Sequence, residues 1–531
     1  MESAYDVIVV GGGHNGLVCA AFLAKAGLSV LVLEKRHNIG GGCSTEEMTL
    51  PGFKHNLHSM AHTWLNRERI FQPLELDKYG LRYVYPDPVY CMVFEDGSSI
   101  GLYRDYRRTL ADIEKFSKKD AKSYQDIYAT FKGVTALVQA AWYNPPLPPS
   151  KVSAPLEQTE NGRRVLKYMQ ASPFVFCNEN FENERVKLWL LMMGTQGSNP
   201  GDLYGTGIMT LVLLYGLHAP VGIAEGGSRS LAEALARCVE AHGGTVLRNA
   251  GVQKILVRNR RAVAVRLEDG NEIAARKGIA SNTTPLPTFF DLIGRETIEE
   301  IAGERFAHDV EHYQPDLMTL FTTHYALNEP PRYVAAENNP AIHSSAFVAW
   351  GMESLLDLQL LFNDIKAGVP SPHLSGYSIC PTIHDPTQAP PGKHTAFAWQ
   401  FATYQLKDGP EKWDEVKEDY ADQIEALWRR YAPNMTWDNI LARYVYSPLD
   451  IERTTPSMFR GAKLHGSVGP DQMGFFRPFP GWSHYRMPIE GLYLCGGSCH
   501  PQGGITAAPG YNAAGVMAQD FGIKPWWMRR S

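Results

Sequence analysis

One segment near the start of the chain restricts the fold more than any other. Tyr5-Asp-Val-Ile-Val-Val10 is a short β-branched run of the kind buried in parallel sheets. Gly11-Gly-Gly-His-Asn-Gly16 follows at once, and residues 17–26, rich in helix formers, close at Gly27. Ser29-Val-Leu-Val-Leu33 is a second apolar strand that ends at Glu34. Together they make a complete βαβ unit in about thirty residues. Each glycine of Gly11-x-Gly13-x-x-Gly16 has a task. The first permits the tight turn, the second lets the backbone approach a pyrophosphate, and the third lets the helix pack on the strand. The helix start offers free N–H groups and a positive dipole end to phosphate oxygens. Glu34 stands where an acid accepts bonds from a ribose diol. A glycine pattern alone would be weak, but strand, helix, second strand and acid are all present. The segment reads as a dinucleotide-binding unit.

At 531 residues the chain is too long for one core, so two or three domains are expected. Lys plus Arg number 51 and Asp plus Glu 56, a net charge of −5, which gives no electrostatic drive toward nucleic acid. Beyond the first unit, strand patterns occur at 245–248, 252–257, 262–267, 272–275 and 492–495, and helix patterns at 230–241 and 511–521. The nucleotide-type elements therefore come in three pieces, separated by two blocks of mixed character. Asn144-Pro-Pro-Leu-Pro-Pro149 reads as a stiff connector in the first of those blocks.

Of the eight cysteines only Cys495 and Cys499 are close, and no paired spacing for zinc occurs. A disulfide framework is not expected, and the chain reads as a protein of a reducing, cytoplasmic compartment. The apolar strand begins within a few residues of Met1, which leaves no room for a signal peptide. The apolar run 208–217 is about half the ~20 residues that span a bilayer, so a buried helix is expected there. Lys524-Pro-Trp-Trp-Met-Arg-Arg530 joins rings and cations. It reads as a docked tail or a contact in a homo-oligomer, with peripheral membrane contact as the alternative.

After Glu34 come Lys35-Arg36 and Gly40-Gly-Gly-Cys-Ser-Thr45, and near the end Gly491-Leu-Tyr-Leu-Cys-Gly-Gly-Ser-Cys-His-Pro-Gln-Gly-Gly-Ile505. On these motifs the chain resembles the flavoprotein superfamily of amine oxidases and phytoene desaturases, and its phytoene desaturase-like members most. The likeness extends to Ser447-Pro-Leu-Asp-Ile-Glu452, to 466–480 and to the Asn-Ala-Ala run at 512–514. The resemblance implies an α/β (mixed α+β) fold in which a Rossmann-like FAD-binding domain carries a discontinuous substrate-binding domain. The expected division is 1–70, 219–288 and 445–531 for FAD, and 71–218 and 289–444 for substrate. It also implies FAD as cofactor. Gly11, Gly13, His14, Asn15, Gly16, Glu34, Lys35, Gly41, Gly42, Cys43 and Ser44 would hold its adenosine diphosphate and ribityl parts. Val252 would contact adenine through its backbone, and Gly497, Gly504 and Ile505 would lie at the pyrophosphate and the pyrimidine edge of the flavin. No second glycine fingerprint follows a later strand, so no separate NAD(P) domain is expected. No CxxC pair is present either, so oxygen, a quinone or another diffusible acceptor is expected to reoxidise the flavin.

His55, His58 and His62 recur at a spacing that could share one face of a helix. No acid stands nearby to orient them and no metal is expected. They are read instead as lining the substrate cavity, as acid/base or orienting groups with a pKa near working pH. This polar patch argues against a purely hydrocarbon substrate. For His500, catalysis and a scaffold role both remain open. No G-x-S-x-G elbow appears, which argues against a hydrolase. The expected activity is FAD-dependent oxidation of a C–C or C–X bond in a small apolar or amphipathic molecule, by hydride transfer to flavin N5. The alternatives are an amine oxidase acting on a C–N bond and a flavin-binding partner protein without turnover.

Overall fold

The computed structural model describes residues 3–63, 65 and 67–528. The apolar runs at the start become the strands Ala4–Val10 and Val30–Leu33, which pair in parallel with Val7 opposite Val30. Thr245–Leu247 adds in parallel beyond Val30–Leu33, and Glu272–Ser281 adds on the far side of Ala4–Val10. Glu272–Ser281 is shared along its length. Its first residues pair with the antiparallel hairpin Arg261–Leu267 and Val252–Arg258, and its last with Leu492–Leu494 in parallel. The result is a seven-stranded sheet drawn from three distant stretches of chain.

Two helices cover one region of this sheet and cross closely. His14–Lys25 starts from the glycine turn, and Ala508–Asp520 packs against it through glycine. A β-carbon on Gly510 would lie 2.0 Å from the Asn15 carbonyl oxygen, and one on Gly16 would lie 2.5 Å from that of Gly11. The tail docks on the same pair. Trp527 stacks on Phe22 at 5.0 Å, and the Tyr511 hydroxyl donates to the Trp527 carbonyl at 2.7 Å. Arg529 and Arg530 lie outside the described residues.

A second seven-stranded sheet runs Ile440–Tyr446, Thr319–Leu327, His394–Ala402, Gly376–Ile379, Phe347–Trp350, Tyr90–Val93, Ser99–Leu102. It is antiparallel except where Phe347–Trp350 meets Tyr90–Val93. Side chains alternate between its faces. Along His394–Ala402, Phe397, Trp399 and Phe401 enter one core while Ala396, Ala398 and Ala402 enter another. Trp350 fills the second core by stacking on Trp428 of the helix Trp413–Tyr431 at 5.4 Å.

The packing redraws the domain limits expected from sequence. Phe289, Ile298, Phe306 and Val310 belong to the core of the first sheet, as do Phe71, Leu74 and Leu76. The limits at 71 and 289 therefore fall inside the flavin-side core. The limit at 445 falls inside the strand Ile440–Tyr446, which pairs with Thr319–Leu327 of the second sheet. The run 208–217 lies in the helix Gly207–His218, and none of the described helices is long and apolar enough to cross a membrane.

The helix crossing yields a test. Gly510→Val forces a side chain into the backbone of Asn15, an overpacking that costs about 1–3 kcal/mol. Its urea midpoint should fall accordingly; an unchanged midpoint would mean that the helices can separate freely.

Candidate active site

The glycine turn is built as its sequence demands. Gly11 has a φ of +97°, a conformation reserved for glycine, and its N–H donates to the Leu33 carbonyl at 2.8 Å. A β-carbon on Gly13 would meet the Asn282 side-chain nitrogen at 2.6 Å. That amide in turn donates to the Gly11 carbonyl at 3.2 Å. Glu34, at the end of its strand, accepts from the N–H of Gly12 and of Arg36, each at 2.9 Å. Burial pushes its carboxyl above the usual range, while those N–H groups pull it back.

A cavity of about 430 Å³ follows this turn. Gly11, Gly13, His14, Asn15, Glu34, Lys35, Gly41, Gly42, Val252 and Gly497 all line it. Gly504 and Ile505 line a second cavity of about 240 Å³, and His14, Gly42 and His465 line both. The two cavities thus adjoin at these residues. Three predicted residues lie elsewhere. Gly16 serves the helix contact described above. Cys43 and Ser44 are buried outside both cavities, and burial pushes the Cys43 thiol up to about 12. The helix expected at 511–521 begins earlier, at Ala508, and Gly504 and Ile505 precede it.

Sequence reasoning missed Asn282, Thr283, Thr455, Ser457 and His465, all on the first cavity. For Asn282 the signal was available. It follows the last residue of a parallel strand, and ligands of such sheets bind beyond the carboxyl ends of their strands.

The second cavity has an aromatic wall and a polar end. Tyr90, Phe347, Tyr377 and Trp399, from four neighbouring strands, supply the wall. Tyr377 stacks on Trp399 at 5.2 Å and on Tyr90 at 6.1 Å. His14, His58, Lys463 and His465 supply the charged or titratable groups. The loop carrying the last two is fixed by Arg477, whose fully buried guanidinium donates to the carbonyls of Leu464, Gly466, Ser467, Gln472, Gly497 and Cys499.

Of the four histidines proposed as catalytic, only His58 reaches a cavity. The expected helix is replaced by the short strands Lys54–Asn56 and Ala61–His62, so the histidine spacing aligns no common face. His55 bonds Thr49 at 2.8 Å and packs against His324. His62 is held at both ring nitrogens, by Tyr83 at 2.6 Å and Ser228 at 2.8 Å. His500 donates to the Ala141 carbonyl at 3.1 Å. These three line neither cavity, and their rings are engaged by the groups just named. His58 lies 3.2 Å from the Thr455 hydroxyl. Burial also corrects the expected pKa: it pushes His58 down to about 3, so the ring is a neutral hydrogen-bonding group. Among the described residues no group of three or more His, Cys, Asp or Glu is placed to hold a metal ion.

Comparison with known proteins agrees with this geometry. Residues 9–73 match the family described as an NAD(P)-binding Rossmann-like domain. The chain is 31% identical to a subunit of limonene dehydrogenase from Castellaniella defragrans, over 98% of this chain and 96% of that one. It is 31% identical to pyridine nucleotide-disulfide oxidoreductase domain-containing protein 2 of Mus musculus, over 98% and 94%. The chain belongs to the phytoene desaturase/amine oxidase-type superfamily of FAD oxidoreductases. A solved triple mutant of putrescine oxidase has the same fold, with a TM-score of 0.61 at 15% identity over 98% of both chains.

The residues present fit the cofactor of this superfamily. Gly13 leaves a cradle that a β-carbon would fill, and the side-chain oxygen of Asn15 is buried on the first cavity without a described partner. Glu34 would hold the ribose, the turn and helix start the pyrophosphate, and Gly41 and Gly42 the ribityl chain. The protein is an FAD-dependent oxidoreductase of the phytoene desaturase-like type.

Two outcomes are expected. Gly13→Val should abolish FAD retention, read as flavin released on denaturation; normal content would remove Gly13 from the pyrophosphate site. The second concerns acid. His14, His55, His58, His62, His465 and His500 are lowered from 6.5 to about 3 or 4 by burial. As pH falls below 6.5 the unfolded chain binds protons that the fold refuses, so stability is lost. Asp316, raised to about 6, opposes this, as do the raised carboxyls of Glu34, Glu353 and Glu425, but the histidines outnumber them. Melting temperature should therefore drop steadily from pH 6.5 to pH 5, and a flat profile would contradict the burial.

Proposed function

We propose that the protein dehydrogenates a compact apolar or amphipathic molecule at a C–C bond, with oxygen or a quinone as final electron acceptor. The observation that carries this is the junction of the two cavities at His14, Gly42 and His465, which brings an aromatic chamber to the end of the dinucleotide site. The chamber, about 240 Å³ and shared at Gly504 and Ile505 with the residues expected against the flavin, leaves little room for a long chain and favours a compact molecule. The name of the Castellaniella relative, a limonene dehydrogenase, supports dehydrogenation as the reaction type.

Bound FAD supplies the two-electron acceptor. The second hydrogen of the C–C bond leaves as a proton to solvent, and the chain holds and orients the substrate. Tyr90, Tyr377 and Trp399 hold the apolar body of the substrate and exclude water from it. His58, neutral and fixed by Thr455, orients a polar substituent by a hydrogen bond. The amine oxidase alternative is disfavoured here. Among the described residues no Asp or Glu lines the chamber to meet a protonated amine, and Tyr377 stacks on Trp399 along one wall.

Anaerobic mixing of the FAD-loaded protein with alkenes, terpenoids, carboxylic acids and amines tests the reading. Bleaching of the flavin by a compact unsaturated or alicyclic compound is expected; bleaching by amines alone would sink it. His58→Ala should lower kcat/KM about ten-fold, the scale of one lost hydrogen bond of ~1.4 kcal/mol, at unchanged FAD content.

A further inference from the structure

Among the described residues the chamber holds one ammonium side chain and no acidic one. Lys463 lines it beside His14, His58 and His465, without any Asp or Glu. Among the described residues Lys463 makes no ion pair and no hydrogen bond. Its ammonium lies 5.4 Å from the centre of the Phe401 ring. The carboxylate that acts on it, Asp316, is committed to the backbone, accepting from Leu464 N–H at 2.8 Å and Gly466 N–H at 3.1 Å. Burial lowers Lys463 to about 8, so it is still mostly protonated at neutral pH. A largely enclosed ammonium with no anion in direct contact is costly, and the neutral histidines on the same chamber cannot supply one.

We propose that Lys463 anchors an anionic oxygen of the substrate, a carboxylate borne on a compact apolar body. This deepens the dehydrogenase reading and rests on it for the fate of the bound molecule. The carboxylate gives the ammonium the charge-assisted hydrogen bond it lacks. Tyr90, Tyr377 and Trp399 take the apolar remainder. The same charge repels a protonated amine, which makes the site selective as well as attractive.

The pH dependence separates Lys463 from its neighbours. His14, His58 and His465 stay neutral from pH 7 to 9, since burial lowers them to about 4, 3 and 3. Asp316, at about 6, is ionised throughout that range. The hydroxyls of Tyr90 and Tyr377 are raised above their ordinary value and stay protonated. Lys463 alone among them loses its charge there, so carboxylate binding should weaken about ten-fold between pH 7 and pH 9.

The experiment titrates the oxidised, FAD-loaded protein with cyclohexanecarboxylate, cyclohexylmethanol and cyclohexylmethylamine, read by the flavin difference spectrum and by calorimetry. The carboxylate should bind at least ten-fold more tightly than the alcohol, and the amine should not bind. Lys463→Met should erase the carboxylate's advantage. Lys463→Arg should keep it and remove the loss at pH 9. The proposal is overturned if the wild type fails to bind the carboxylate or prefers the amine. It is also overturned if Lys463→Met binds the carboxylate as the wild type does, including when its only change is a shifted flavin potential. A protein that binds the carboxylate yet reduces its flavin with no compound would overturn the dehydrogenase reading and leave Lys463 in place as the anchor.

Discussion

The buried guanidinium of Arg477 holds the active site together. Its donors reach carbonyls at 464, 466, 467 and 472 on one side and at 497 and 499 on the other. Those carbonyls belong to two loops that would otherwise have to bury unpaired oxygens. One loop carries Lys463 and His465, and the other carries the glycines expected against the flavin. Asp316 grips the first loop from outside through Leu464 and Gly466, and the Tyr313 hydroxyl donates to the His465 carbonyl at 2.8 Å. Gly466 has no side chain because a β-carbon there would lie 2.1 Å from that hydroxyl. A charge that bonds only carbonyls has thus become the clamp between the cofactor side and the chamber.

The clamp sets the electrostatics of the junction. The chamber gains a cation at Lys463 and, through burial, three histidines that are neutral at working pH. A site of this kind binds by shape and aromatic contact over most of its surface and by charge at one end. The sequence pointed to histidine as the titrating group. Burial moves that property to a lysine, because desolvation lowers both side chains and only lysine starts high enough to arrive near neutrality.

The alternation His394-Thr-Ala-Phe-Ala-Trp-Gln-Phe-Ala402 shows what else lay unread in the chain. Its period of two is a strand signal, with small residues toward one core and large rings toward the other. It supplies Trp399 to the chamber wall, but nothing local reveals that Tyr90, Phe347 and Tyr377 lie on neighbouring strands. Three of these strands follow one another between 347 and 402, and Tyr90–Val93 joins them from a distant stretch, so the complete wall is a property of the sheet.

The sequence by itself determined the cofactor half of this protein. Gly11 and Gly41 adopt positive φ that favours glycine, and Glu34 stands just beyond a strand end, so local order was enough to place this turn. Tertiary structure alone decided which side chains face the substrate. It placed His58 on the chamber and turned His55, His62 and His500 into packing. It also brought Lys463 and His465 there from some four hundred positions away along the chain, as counted from His58. The reason is physical: a cofactor cradle is made of consecutive backbone, whereas a cavity wall is made of side chains whose neighbours are fixed only when distant strands pair.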